Sequence, residues 1–266
     1  MRRRYPYALS ALLFAPLIQA ANQPPAKPAD TATPHAQQAD RRSPKKIILI
    51  NGEGASITLW KPDLTTQTLT AEQNSITLPR TGLDNYHALV VKQDWGTSKE
   101  SVIRYEYLSG KPSNQSPSRL TEAVKSEFEI VPDPLPREHY RYYSDHQWGF
   151  IVHLYGRPRA GIEVSLKTEN GSLLKATTDY SGRVAFRLPE DFPAVTAGDR
   201  DNRSAEFAVS AMTTEAGMSY ETMLTARYHV NPSHWQSSQL GALVAGLGFM
   251  VGGLVGRVKT RGGKKR

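Results

Sequence analysis

Between Lys46 and about Val230 the apolar residues come in runs too short for helices and too regular for loops. Ile47-Ile48-Leu49-Ile50 is continuous, whereas Ile57 and Leu59 alternate with Ser56, Thr58 and Trp60. Ile76 and Leu78 flank Thr77, Leu89-Val90-Val91 is continuous again, and Val102, Tyr105 and Tyr107 follow. A turn-rich stretch from Gly110 to Ser118 interrupts the pattern, which resumes near Phe128 and in Phe150-Ile151-Val152-His153-Leu154. Ile162, Val164 and Leu166 then alternate with Glu163, Ser165 and Lys167. Val184, Phe186 and Leu188 alternate up to Pro189, Phe207 and Val209 open another segment, and Met223 to Tyr228 closes the set. Runs of this length and period, bounded by Gly, Pro, Asn and Asp, predict strands. Asn170-Gly171 predicts a tight hairpin, because both residues tolerate the positive φ that such a turn needs.

The order of segments repeats weakly. A small residue leads into Ile57-Thr58-Leu59-Trp60, then a polar turn, then Ser75 to Pro79, then Tyr86 to Val91. Gly161 leads likewise into Ile162 to Leu166, then a turn, then Arg183 to Pro189, then Glu206 to Ala211. The expected fold is mainly β. It comprises two antiparallel β-sandwich modules of immunoglobulin or transthyretin-like type, residues 46–125 and 126–232, with one C-terminal transmembrane helix. Modules of about 80–100 residues suit this architecture. The boundary falls between about 109 and 135, and one large sandwich is the alternative.

The two ends carry a different signal. Arg2, Arg3 and Arg4 precede the apolar run Ala8 to Ile18, and the small residues Ala20 and Ala21 close it. That order predicts a secretory signal over residues 1–20. Residues 21–45 are rich in Pro, Ala and polar residues without periodicity, and read as a flexible spacer. Leu240 to Gly256 holds no charge. With its flanks, residues 238–258, it predicts a single bilayer crossing, which takes about 20 residues. Gly248, Gly252 and Gly256 stand four apart on one face, a spacing that lets a second membrane helix approach closely.

Net charge locates the same segments. Of the net +8, the three N-terminal arginines and the six basic residues from Arg257 to Arg266 supply more than the whole, so the body is close to neutral. A nucleic-acid partner is therefore not expected, since its footprint belongs on the fold. The basic tail, residues 259–266, predicts a cytoplasmic C-terminus. The expected placement is single-pass in the inner (cytoplasmic) membrane, with the ectodomain in the periplasm or extracytoplasmic space and the lipid bilayer as a partner.

The stretch from Phe128 to Val209 carries a further pattern: Phe128 to Pro136, then Gly156-Arg157-Pro158 through Gly161 and Val164, then Thr178-Asp179-Tyr180-Ser181-Gly182. It resembles the NikM-like periplasmic domains found beside nickel and cobalt uptake systems, and the wider carboxypeptidase-regulatory and transthyretin-like group. Gly156, Pro158, Gly161, Val164, Thr178, Asp179 and Gly182 carry the resemblance. It implies an antiparallel sandwich and an accessory role in envelope transport, beside a transporter or another envelope protein. It departs from those domains in having no histidine-rich mature N-terminus.

The densest chemistry lies in Arg137 to Trp148. Glu138, His139, Asp145, His146 and, further on, His153 are the candidate ligands for a small molecule or for nickel, cobalt, copper or zinc, which imidazole and carboxylate suit. The alternative is a linking segment whose aromatics pack while their polar tips stay wet. With no cysteine, thiolate sites and disulfides are excluded. No nucleophile elbow, zinc-helix motif or phosphate loop occurs, so catalysis is not expected. No cofactor is expected either, with a metal ion as the open option. Leu78-Pro79-Arg80-Thr81-Gly82 spells a sorting motif far from any C-terminal span, and reads as a strand end and turn.

Overall fold

In the computed structural model the described residues are 45–48, 54–72, 75–137 and 141–235. The expected signal, most of the spacer, the apolar span with Gly248, Gly252 and Gly256, and the basic tail lie outside them. So do Glu138 and His139. No helix among the described residues is long and apolar enough to cross a membrane.

The described chain is mainly β, with 54% of it in strands and 5% in helix. The first half gives β1 (Lys46–Ile48), β2 (Ser56–Trp60), β3 (Thr66–Leu69), β4 (Ser75–Thr77), β5 (Leu83–Asp94), β6 (Ser98–Leu108) and β7 (Lys111–Pro112). A short helix, α1 (Pro117–Glu122), follows. The second half gives β8 (Phe128–Pro132), β9 (Tyr142–Tyr143), β10 (Gln147–Leu154), β11 (Arg157–Pro158), β12 (Glu163–Thr168), β13 (Leu173–Thr177), β14 (Arg183–Arg187), β15 (Ser204–Glu215) and β16 (Met218–His229). The stretch read as a loop up to Ser118 runs into α1, where Ser116 caps the helix by accepting the Ser118 N–H and Pro117 takes the first turn. A proline there gives up an N–H that would have no helical partner in any case.

Two sheets face each other. The larger runs β13-β12-β15-β16-β6-β5-β2-β3, with β7 attached to β5 and β9 to β16. The smaller runs β11-β10-β14, with β8 attached to β10. Within the larger sheet, β6 of the first sequence block pairs with β16 of the second in parallel register, Val102 opposite Met223. Parallel neighbours need a long crossover. Here the intervening chain is α1, the smaller sheet and the β12–β15 strands. The sheet is therefore continuous across the two blocks. A chain of ion pairs crosses the joint: Lys45 to Glu106, Arg104 to both Glu106 and Glu206, and Arg227 to Glu206.

The principal core lies between the sheets. Phe128, Ile130, Phe150 and Val152 from the smaller sheet meet Phe207, Val209, Leu224 and Tyr228 from the larger, together with Ala88, Val90 and Ile103 of the first block. Each such large side chain contributes about 1.5–3 kcal/mol on burial. A second cluster of Ile57, Leu59, Ile76, Leu78 and Leu89 lies on the other face of β2 and β5, beneath the β1–β4 ribbon. This explains the continuous run at Leu89-Val90-Val91: β5 is covered on both faces there, so alternation is lost. Where one face meets water, in β12 and β14, alternation is strict.

Candidate binding surface

Strand register gives the molecule two ends. At the lower end lie the terminal residues of β6 and β16, the starts of β5, β10 and β15, and the ends of β12 and β14. Both limits of the described fold are here. Lys45 bonds Glu106 and the Tyr107 carbonyl, and the last turn, Pro232–Trp235, is tied in by the Gly198 N–H donating to the His234 carbonyl. At the upper end lie the β5–β6, β10–β11, β13–β14 and β15–β16 turns.

The sequence-predicted candidates divide between these regions. Asp145 and His146 sit at the lower end. Asp145, at φ +59°, bonds the Arg187 guanidinium at 2.7 Å, and this hydrogen bond holds its carboxyl below the usual range. His146 accepts the Leu188 N–H through its carbonyl, and its exposed ring lies 5.9 Å from Tyr143 and 6.4 Å from Trp148. His153 is seven residues further along β10, about 23 Å at roughly 3.3 Å per residue. It stands opposite Glu129 across the β8–β10 ladder. Desolvation first, then the Lys125 charge, pushes its imidazole down. His146 and His153 therefore do not share a site. No group of three or more metal-ligating side chains occurs among the described residues.

The lower end uses its polar groups internally. The Tyr228 hydroxyl donates to Asp191, which also accepts the Thr168 hydroxyl at 2.6 Å, and Asn170 Nδ2 donates to Tyr228 at 3.0 Å. Burial alone would raise Asp191, but the bonds from Thr168 and Tyr228 outweigh it and hold the carboxyl below its ordinary value. His229 is driven down to about 4, mainly by burial and next by the Arg141 charge. Its aromatics pack as well: Tyr142 lies edge-on to Trp148 and Phe207, and Phe192 lies against Tyr228.

The upper end is built the opposite way. Of the large hydrophobic residues exposed among the described residues, Trp95 (59 %), Tyr155 (54 %), Tyr180 (95 %), Val124 and Met212 are at or near it, and Leu173 alone is at the lower end. Scattered exposed apolar side chains need no explanation, whereas a concentration at one end does. Two tips share one construction. Asp94 accepts the Gly96 N–H at 2.8 Å and presents Trp95; Asp179 accepts the Ser181 N–H at 2.8 Å and presents Tyr180. Such aspartate turns fix the backbone locally. Gly182, at φ +73°, completes the second turn, and a Cβ there would lie 2.8 Å from the Arg159 nitrogen. Tyr155 heads a turn at φ +52° before Gly156 at φ +71°, a left-handed position that costs a residue with a side chain roughly 1–2 kcal/mol. Its ring lies edge-on to buried Tyr220, and the two hydroxyls bond each other.

At the same end a cleft of about 300 Å³ opens at the starts of β2, β6, β8 and β16. Its charged lining is Asp94, Glu100, Glu127 and Glu221 against Lys92 and Lys99. Lys99 bonds Glu127 at 3.0 Å and lies 3.9 Å from Asp94. Glu100 and Glu221 are direct partners across the β6–β16 register, a like-charge pairing that destabilises a sheet. Burial first, and then Glu100, raises Glu221. Close behind, Lys125 and Glu129 form an ion pair at 3.2 Å with 0 % and 1 % of their side chains exposed. Lys125 also donates to the Leu120 carbonyl at 3.1 Å and to that of Ala123. Desolvation pushes the lysine down and the glutamate up.

The tip aromatics were not singled out from the sequence. A signal existed in Asp94-Trp95-Gly96 and in Asp179-Tyr180-Ser181-Gly182, where a large ring occupies a turn and has no alternating neighbours to pack with. No family model matches the chain, and no curated protein matches it. Among solved structures it is similar to part of a chain described as a Ca2+-stabilized adhesin that helps an Antarctic bacterium reach out and bind ice. The identity is 16%, the TM-score 0.27, and the match covers 67% of this chain and 40% of that one. A likeness at that level carries no argument about function.

Proposed function

We propose that the protein is a non-enzymatic, membrane-anchored envelope protein whose β-sandwich ectodomain binds a partner protein or ligand as an accessory to transport. The observation that carries this reading is the polarity of the fold. Both limits of the described chain are at the lower end, and the exposed aromatics gather at the other. An anchor beginning shortly after Trp235 holds the lower end toward the bilayer and leaves the upper end free. The NikM-like pattern from Phe128 to Val209 supports an extracytoplasmic sandwich of the immunoglobulin or transthyretin-like kind, and the uncharged run Leu240 to Gly256 supports the anchor. Membrane fractionation of the untagged full chain tests this. The protein is expected in the carbonate-resistant pellet and released only by detergent; recovery in the soluble extract overturns the anchor.

A second reading, metal binding at Glu138, His139, Asp145 and His146, is favoured by the exposed ring of His146 beside Asp145. Equilibrium dialysis with nickel, cobalt, copper and zinc decides it. Micromolar binding that disappears in His146→Ala supports this reading, and no binding removes it.

A further inference from the structure

We propose that the upper end is a docking surface for a separate protein that presents basic side chains, with Trp95, Tyr155 and Tyr180 as its aromatic anchors. The composition points to protein rather than to a small ligand. Trp, Tyr, Met and Arg are the residues enriched in protein interfaces, and Trp95, Tyr155, Tyr180, Met212 and Arg157 are all exposed here. The anchors are also set in place before any partner arrives. Trp95 and Tyr180 stand on aspartate-stapled turns, Tyr155 rests on Tyr220, and Val124 lies against Gly156. Rigid aromatics lose little freedom on binding, which leaves more of the contact energy as affinity.

Charge selects the kind of partner. The cleft, which adjoins Trp95 through Asp94 and Tyr155 through Tyr220, is lined by four carboxylates against two ammonium groups, and Lys99 is already engaged by Glu127. Glu100 and Glu221 are like-charge partners across the β6–β16 register, and Glu100 raises the cost of ionising Glu221. A lysine or arginine from a partner would relieve that repulsion. A second copy docked through this same surface would instead bring an equal excess of carboxylates against it, and like-charge juxtaposition costs several kcal/mol. The partner's surface is therefore basic and belongs to another protein. This inference rests on the outward orientation proposed above.

The test is photocrosslinking of the full chain in its own cells. A benzophenone amino acid is placed singly at Trp95, Tyr155 or Tyr180, and at the lower-end positions His146 and Leu173 for comparison. Expected is an adduct with a different protein from the three upper positions and not from the lower ones. Its yield should fall roughly tenfold or more in Glu221→Lys, since each 1.4 kcal/mol of repulsion is a factor of ten. Glu221→Gln, which removes the like-charge contact, should fold at least as well as the parent and serves as the folding control. Adducts only between two copies, adducts only to the chain's own residues 22–44, no adduct from the upper positions, or a yield indifferent to charge reversal would each overturn the proposal. The same cells are fractionated. Soluble protein would refute the anchor, while the adduct pattern decides the surface separately.

Discussion

The two ends of this sandwich use the same residue types to opposite purposes. At the lower end Tyr228 is fully buried, with its hydroxyl spent on Asp191, and Trp148 packs against Tyr142. At the upper end Tyr180 is almost wholly exposed and Trp95 has most of its surface in water. Aspartates differ likewise. Asp191 gathers side chains from β12, β16 and the loops beside them, whereas the hydrogen bonds of Asp94 and Asp179 go to backbone and hydroxyl groups no more than four residues away. The lower end is closed by its own bonds. The upper end holds its turns by local bonds and leaves the aromatics at their tips exposed.

Substitutions can break or sharpen that contrast. The largest effect is expected where the upper end rests on a buried charge pair. Lys125→Ala strands Glu129 and should cost about 3–5 kcal/mol in urea unfolding, whereas Lys125→Met with Glu129→Leu should recover most of the loss. If the double variant is no better than the single, the pair does more than neutralise itself. Next, Tyr228→Phe leaves Asp191 short of a charge-assisted bond and should cost about 1.5–3 kcal/mol. A neutral result would mean that the lower end is not held closed by this network.

A smaller effect comes from pH. His229 is lowered to about 4 in the fold, against an ordinary value near 6.5. The unfolded chain therefore binds this proton first as pH falls. The stability that His229 confers by staying neutral is full above about pH 6.5 and is lost progressively toward pH 4. Thermal melts should fall across that window, and His229→Phe should flatten the fall. Smaller again, Tyr155→Asn relieves a left-handed tyrosine and should gain up to about 1 kcal/mol while weakening any partner at the upper end. Smallest, Tyr180→Ala should change stability by less than about 0.5 kcal/mol. A large loss there would place Tyr180 among the core residues and dissolve the contrast.

Much of the sheet was legible in the sequence because alternation records a single buried face. Ile162, Val164 and Leu166 point inward from β12 or its start, as Val184 and Phe186 do from β14. The β6–β16 joint was not legible. Its partners, such as Val102 and Met223, are far apart in sequence, and no local pattern encodes a distant parallel neighbour. Nor was β3, whose Thr66-Gln67-Thr68-Leu69 lies on the sheet edge and buries too little to show a period. The exposed tip aromatics were not legible for a related reason. Histidine and carboxylate drew attention to Arg137 to Trp148, but residue type alone does not tell Trp148, which packs, from Trp95, which does not. That difference is set by where the turns fall.

The most direct test of the polarity uses the absence of native cysteine. Single variants Tyr180→Cys and Thr260→Cys, each in the full chain, are exposed to a membrane-impermeant maleimide in intact spheroplasts. The account predicts rapid labelling of Tyr180→Cys, and labelling of Thr260→Cys only after the membrane is opened. Protection of Tyr180→Cys in intact spheroplasts, or equal labelling of both, would contradict it.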